Sequence, residues 1–188
     1  METSATPEPR PPQLSATGRV ILGMIAFGKA TGYEIKQFVD RTIRYFWAAS
    51  YGQIYPELKR LEQQGLVRGR PEPSGDRART VYELTQAGER ALQGWLASGE
   101  EPFYELRDEG MLKLFFSDSL PERRIENIRA MRAREERMLA HLRTIEPHAG
   151  GGPAGAYLTL QLGIASAEWL IDWCAATERR LAAEGEKE

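Results

Sequence analysis

The chain has 188 residues, 41% of them hydrophobic and 28% charged, enough for one good-sized domain or two small ones with a real core and a soluble surface. No apolar run approaches the roughly 20 residues that a membrane-spanning helix needs. The net charge of −2 hides an asymmetry: residues 1–99 carry 13 basic against 10 acidic side chains, and residues 100–188 carry 12 against 17, so the front half tolerates phosphate better than the back half.

The opening METSATPEPRPPQ has neither a basic start nor an apolar middle, and is expected to be a disordered tail over residues 1–13 rather than a secretory leader. Leu14, Val20, Ile21, Leu22, Met24, Ile25 and Phe27 then predict a well-buried first helix, stopped by Gly28. Thr31 followed by Glu34 has capping-box spacing and starts a second helix with Ile35, Phe38, Val39 and Ile43 on one face. Tyr45, Phe46 and Trp47 close it.

Ser50 is expected to cap a third helix whose buried stripe is Ile54, Leu58 and Leu61. The opposite face then holds Gly52, Pro56, Lys59 and Gln63, flanked by Gln53 and Arg60. With Ser50 as the cap, Pro56 falls beyond the first turn, so a kink or an irregular turn is predicted there. Gly65 ends the helix. A strand from Leu66 to Arg70, a turn in PEPSGD and a second strand over Arg79 to Leu84 come next. Helix, strand, arginine-bearing turn and strand, in that order, are the layout of a winged helix-turn-helix, with the two strands as its wing. Tyr55, beside the buried stripe, is expected to be at least half buried against that wing. Thr85 caps a fourth helix through Ala91, Leu92, Trp95 and Leu96. SGEEP, residues 98–102, reads as a boundary between domains.

The second half is helical in pattern. Phe103 to Phe116 forms one helix, broken by SDSLPE. Pro121 to Ile145 forms another, and HAGGGPAG a turn. The last helix, Ala156 to Leu181, is apolar on two sides: Leu158, Leu162, Ala165, Trp169 and Trp173 on one, Leu160, Ile164, Ala167 and Ile171 on the other. Such a helix needs partners on both faces. One is the preceding helix, folding back as a hairpin. The other is either a second copy of the chain or a further part of the same one.

The segment GQIYPELKRLEQQGLV followed by RTVYELTQAGERAL resembles the PadR-like transcriptional regulators. The residues that carry the resemblance are Gly32 to Ile35, then Ile54, Tyr55, Pro56, Leu58, Leu61, Glu62, Gly65 and Leu66, then Tyr82, Leu84, Thr85 and Gly88. Asp108 to Leu120, DEGMLKLFFSDSL, is similar to the start of the helical C-terminal domain of the longer members, where that domain serves dimerisation. The wing departs from the family's pattern: Arg79 is followed by Thr80 where a basic pair is common. The resemblance implies a mainly α protein with a small β-hairpin wing, a winged helix-turn-helix DNA-binding domain over residues 14–98 and a helical dimerisation domain over residues 103–184. It implies a cytoplasmic repressor, and an effector such as a phenolic acid or a drug.

DNA offers phosphate charge everywhere and base edges in its grooves, so a binder needs cations for position and hydrogen-bonding side chains for sequence. Gln53, Lys59 and Arg60 supply these on the third helix, where Gly52 and Pro56 keep the surface low. A Gln on adenine, or an Arg or Lys on guanine, discriminates by roughly 1–3 kcal/mol. Ser50 and Tyr51 are expected phosphate partners at the helix start, and Arg77 and Arg79 from the wing. The plain alternative is that Lys59 and Arg60 are solvated charges. Two copies related by a two-fold axis would read a palindrome, which agrees with a homodimer built on Leu158, Leu162, Ala165, Trp169 and Trp173, with help from Ile125 to Leu142. Trp95, Trp169 and Trp173 are candidates for an aromatic effector's walls, against the plainer reading of core or interface. No cofactor or metal is implied: His141, His148 and the single Cys174 lack ligand spacing, and no HExxH, paired CxxC or phosphate-cradling Gly-rich loop is present. One cysteine also rules out an internal disulfide and fits a reducing compartment. The rival to a DNA-binding regulator is a winged-helix scaffold that holds protein partners without DNA.

Overall fold

The computed structural model describes residues 14–47, 51–73, 79–102, 104–149 and 151–185. The expected tail over residues 1–13, Ser50, Arg77 and the side chain of Tyr51 lie outside the described residues. The chain divides into two compact units, Met1–Glu101 and Pro102–Glu188. Among the described residues no helix is long and apolar enough to cross a membrane.

The first unit begins with α1, Ala16–Ala26, whose cap is Ser15: its hydroxyl accepts from the Gly18 amide at 2.9 Å. Ile21, Leu22, Met24 and Ile25 are its buried side. The capping box opens α2, Gly32–Arg41, as its spacing demands: Thr31 Oγ1 accepts from the Glu34 amide, and the Glu34 carboxylate accepts from the Thr31 amide. Ile35 and Val39 face inward. The helix stops at Arg41, short of Ile43 and the aromatic cluster, and Tyr45 and Phe46 meet edge to face in the turn beyond it.

A single 3-10 turn, Tyr51–Gln53, precedes α3, Ile54–Gln63. The regular helix therefore starts later than the sequence predicts, and Pro56 lies inside its first turn rather than beyond it. The missing amide there belongs to the first turn, where it has no intrahelical acceptor, so the proline costs no helical bond. Ile54, Leu58 and Leu61 are buried as the spacing requires. Gly65, at φ +69°, supplies the left-handed step that ends the helix and turns the chain into the sheet.

The sheet is one antiparallel hairpin of β1, Val67–Glu72, and β2, Arg79–Leu84, in a register that runs from Val67 opposite Leu84 to Glu72 opposite Arg79. Tyr82 donates its amide to the Ala30 carbonyl at 2.7 Å, which ties the hairpin to the α1–α2 turn. Thr85 caps α4, Gln86–Leu96, and also donates its hydroxyl to the Gly65 carbonyl. Ala91 and Leu92 pack on the core, whereas Leu96, at the end of the helix, is 68% exposed.

In the second unit α5 is Glu109–Phe115. The sequence predicts a helix from Phe103, but Asp108 stops it from reaching back. Its carboxylate accepts from the amides of Gly110 and Met111 and is gripped from the side by both ends of the Arg134 guanidinium, at 3.0 and 2.6 Å. Two 3-10 turns carry the chain to α6, Arg124–Ala149, which runs through Pro147 instead of ending before it. A proline in the last turn removes only one helical bond. The last helix, α7, is Ala154–Gly185. Arg143 pairs with Glu168, and Arg129 and Arg132 with Glu178, so the two long helices run antiparallel. Ile128, Met131, Leu142, Leu160, Ala167 and Cys174 are buried hydrophobic residues of this hairpin.

Candidate nucleic-acid interface

With its apolar stripe in the core, α3 turns Gln53, Pro56, Lys59 and Gln63 to solvent, and Gly52 is exposed just before them. The predicted face is uncovered by the rest of its unit. Tyr55 does not meet expectation: it is 56% exposed, and its ring lies over Gly32 at the start of α2. A Cβ at Gly32 would sit 2.7 Å from Tyr55 Cε1, so the absent side chain makes the slot that takes the ring.

Arg60 is more engaged than a solvated arginine. Its Nε and Nη2 bind the two oxygens of Glu57, one turn back, at 2.9 and 2.6 Å. The same carboxylate accepts from the hydroxyl of Ser15, the cap of α1. Arg60's hydrogen bonds hold the Glu57 carboxyl below its ordinary value against the opposing effect of burial, with Ser15 adding to the shift. Gln53, Pro56, Glu57 and Arg60 open together on a cleft of about 480 Å³ shared with the first turn of α1.

The wing is fastened to this helix. Glu62, exposed at the back of α3, accepts from the Gly69 amide of β1 at 2.8 Å. Burial raises the Tyr82 phenol above its ordinary value, and the nearby Glu62 charge adds to that. Arg79 stands at the tip end of β2 and is paired with Glu72 at 2.5 Å. The sequence reading overlooked Arg68 and Arg70, which share Glu83 at 3.6 and 2.7 Å. Alternation could have found them, because residues 68, 70 and 72 of β1 and 79, 81 and 83 of β2 fall on one face of the hairpin.

The three candidate effector tryptophans are differently placed. Trp95 is 38% exposed on α4, with the Arg19 guanidinium 5.5 Å above its ring. Trp169 is 65% exposed on α7, while Trp173 packs against the Ile128–Met131–Cys174 cluster. Trp173 therefore leaves the outward face on which the sequence reading set it. Four residues on from Trp169 is about 40° further round the helix, enough to reach the hairpin seam. Leu158 and Leu162 remain outward at 63% and 68% exposure, and Ala165 is exposed between Leu162 and Trp169.

Residues 21–94 match the transcriptional regulator PadR-like family, and residues 106–182 match the virulence activator alpha C-term family. The chain belongs to the PadR-like family of transcriptional regulators. This PadR-like chain is 35% identical to the negative transcriptional regulator PadR of Bacillus subtilis (strain 168) over 101 residues, which are 53% of the chain and 56% of that protein. In sequence it thus spans about half the length of that relative. Its fold is similar to the crystal structure of Bacillus subtilis PadR in complex with operator DNA, with a TM-score of 0.77 and 26% identity over 86% of this chain and 96% of that one. It is also similar to the crystal structure of Bacillus subtilis PadR in complex with p-coumaric acid, with a TM-score of 0.71 and 25% identity over 87% and 97%. The winged helix and the helical C-terminal region that the PadR-like resemblance implied are both present.

Proposed function

We propose that this PadR-like regulator is a cytoplasmic, homodimeric repressor that binds double-stranded DNA at a palindromic operator and is released by a small aromatic effector. The observation that carries the reading is the division of α3. Ile54, Leu58 and Leu61 are at most 4% exposed, while Gln53, Pro56 and Lys59 point away from the chain that holds them. A helix fixed by one face and bare on the other is the part of a winged helix that enters a major groove. Residues 14–98 are the DNA-binding domain in this reading, with Gln53 and Lys59 at base edges and Pro56 against the groove floor. Arg60 sits at the flank, and Ser50, Tyr51, Arg77 and Arg79 meet phosphates.

Residues 103–184 are the dimerisation domain. Leu158, Leu162, Ala165 and Trp169 make the contact along α7, and Trp173 supports it from the seam. Two copies are needed because a single winged helix reads few base pairs. The effector reading draws on the p-coumaric acid complex of Bacillus subtilis PadR. Trp95, Trp169 and Trp173 supply the aromatic surface, with Trp95 the first candidate because a guanidinium already lies on its ring.

The test is retardation of the DNA upstream of the chain's own gene. A repressor of this kind binds there and weakens steeply as salt rises. Lys59→Ala combined with Arg79→Ala abolishes the shift. A chain that leaves that DNA unshifted even at low salt is a protein scaffold, and the reading fails.

A further inference from the structure

The outer side of α2 carries a group suited to the same nucleic acid, and its assignment rests on the DNA-binding reading above. Gly32, Ile35 and Val39 turn α2 inward, which leaves Tyr33 and Gln37 together on the outer side, one turn apart. Tyr33 is 62% exposed. The Tyr55 ring lies over Gly32, so the residue just before Tyr33 meets the first turn of α3, the helix that carries the bare face. The hairpin reaches the same end of α2: Tyr82 donates its amide to the carbonyl of Ala30, two residues before Gly32.

The chemistry of the pair gives it direction. Gln37 donates from Nε2 to the phenol oxygen of Tyr33 at 2.5 Å. A phenol has one hydrogen to give. With its oxygen already accepting from Gln37, that hydrogen is left for an acceptor on the solvent side. Lys36 is exposed on the same helix, so the acceptor that fits is an anion. Beside a groove occupied by α3, the anion within reach of a neighbouring helix is a backbone phosphate.

We propose that Tyr33 donates a hydrogen bond to a DNA phosphate flanking the groove that α3 enters, and that Gln37 is the positioning residue that aims it. A neutral donor to a phosphate displaces no counterion, so this contact strengthens binding without changing its salt dependence. It is also blind to sequence.

The experiment compares wild type, Tyr33→Phe and Gln37→Ala on a duplex from the chain's own upstream region and on an unrelated duplex, by fluorescence anisotropy at several salt concentrations. Tyr33→Phe removes only the hydroxyl of an exposed ring, and circular dichroism should show an unchanged melt. It is expected to weaken both duplexes by the same factor, about tenfold, a charge-assisted hydrogen bond's worth, with the salt slope unaltered. Gln37→Ala weakens both by about threefold, and adding it to Tyr33→Phe costs nothing more. Wild-type affinity in Tyr33→Phe overturns the proposal, as does a loss confined to one duplex or a changed salt slope. Failure of the wild type to bind either duplex overturns the DNA-binding reading instead.

Discussion

Glu57 and Arg60 are joined as a two-bond fork on the exposed helix α3, Nε to Oε2 at 2.9 Å and Nη2 to Oε1 at 2.6 Å. The fork is anchored through Ser15 to the cap of α1. One of the cations on this helix is thus already committed within its own unit, whereas Lys59, its neighbour, is exposed. The two should behave differently toward DNA. Lys59→Ala is expected to weaken operator binding about tenfold and to relax the preference at the base pair it reads. Arg60→Ala should cost less than about threefold, because the guanidinium must leave a carboxylate before it can serve a phosphate. Anisotropy titrations over a salt series measure both. Equal losses would mean that the fork opens freely on the duplex.

The same fork predicts how stability responds to acid. Glu57 has its folded pKa lowered below the ordinary 4.5 by Arg60's hydrogen bonds, with burial opposing and Ser15 assisting. The stabilisation is therefore complete above the unfolded value and is lost as pH falls through the folded one. Asp108 behaves alike from its ordinary 3.8, held down by Arg134 and by the amides of Met111 and Gly110. Glu57→Gln and Asp108→Asn should each melt below wild type near neutrality. The gap should close as the pH falls through the lowered folded values, below which the wild-type carboxyls are protonated too. A gap that stays constant with pH would assign the loss to packing.

Which of these features could be read from the chain depends on how far apart the partners lie. Thr31 and Glu34 are three residues apart and complete one another, so their spacing alone announces the start of α2. The stripe of Ile54, Leu58 and Leu61 is set by helical period and is equally local. The start of α5 was misjudged because it depends on Arg134, 26 residues beyond Asp108. Arg60's partner Glu57 is only three residues back and was open to a local reading; only the anchor of that fork, Ser15, is remote, 42 positions before Glu57. Trp173 was put on the wrong side by a drift of about 40° per four residues, which a straight list of apolar positions ignores. Local rules gave the elements; the start of α5 went astray where a distant side chain decides, and Trp173 where the drift of the helix was left out.

The outward row on α7 yields a prediction about assembly. Leu158, Leu162 and Trp169 are each more than 60% exposed and play no part in the buried core of their own hairpin. Burying such a side chain is worth roughly 1.5–3 kcal/mol. Leu162→Asp with Trp169→Asp should therefore leave the fold intact by circular dichroism and convert a dimer to a monomer in sedimentation velocity. The monomer should lose about a hundredfold in affinity for a palindromic site, because the second half-site no longer arrives with the first. A variant that sediments as wild type places the contact on another surface.

Two glycines of α4 should respond oppositely to the same change. Gly88 faces the Leu66 carbonyl, and a Cβ there would stand 2.0 Å from that oxygen. The obstacle is backbone, fixed by the Thr85 amide that donates to the same carbonyl at 3.1 Å, so it cannot swing aside. Gly88→Ala should push α4 off the start of β1 and cost roughly 3 kcal/mol. Gly94 is in the same helix with no atom within 4 Å of its added Cβ. Gly94→Ala restricts the unfolded chain and favours the helix, for a gain of roughly 0.5–1 kcal/mol. Urea unfolding of both variants gives the two signs directly. A neutral Gly88→Ala would show that the packing of α4 on the Gly65–Leu66 corner is looser than the close approach requires.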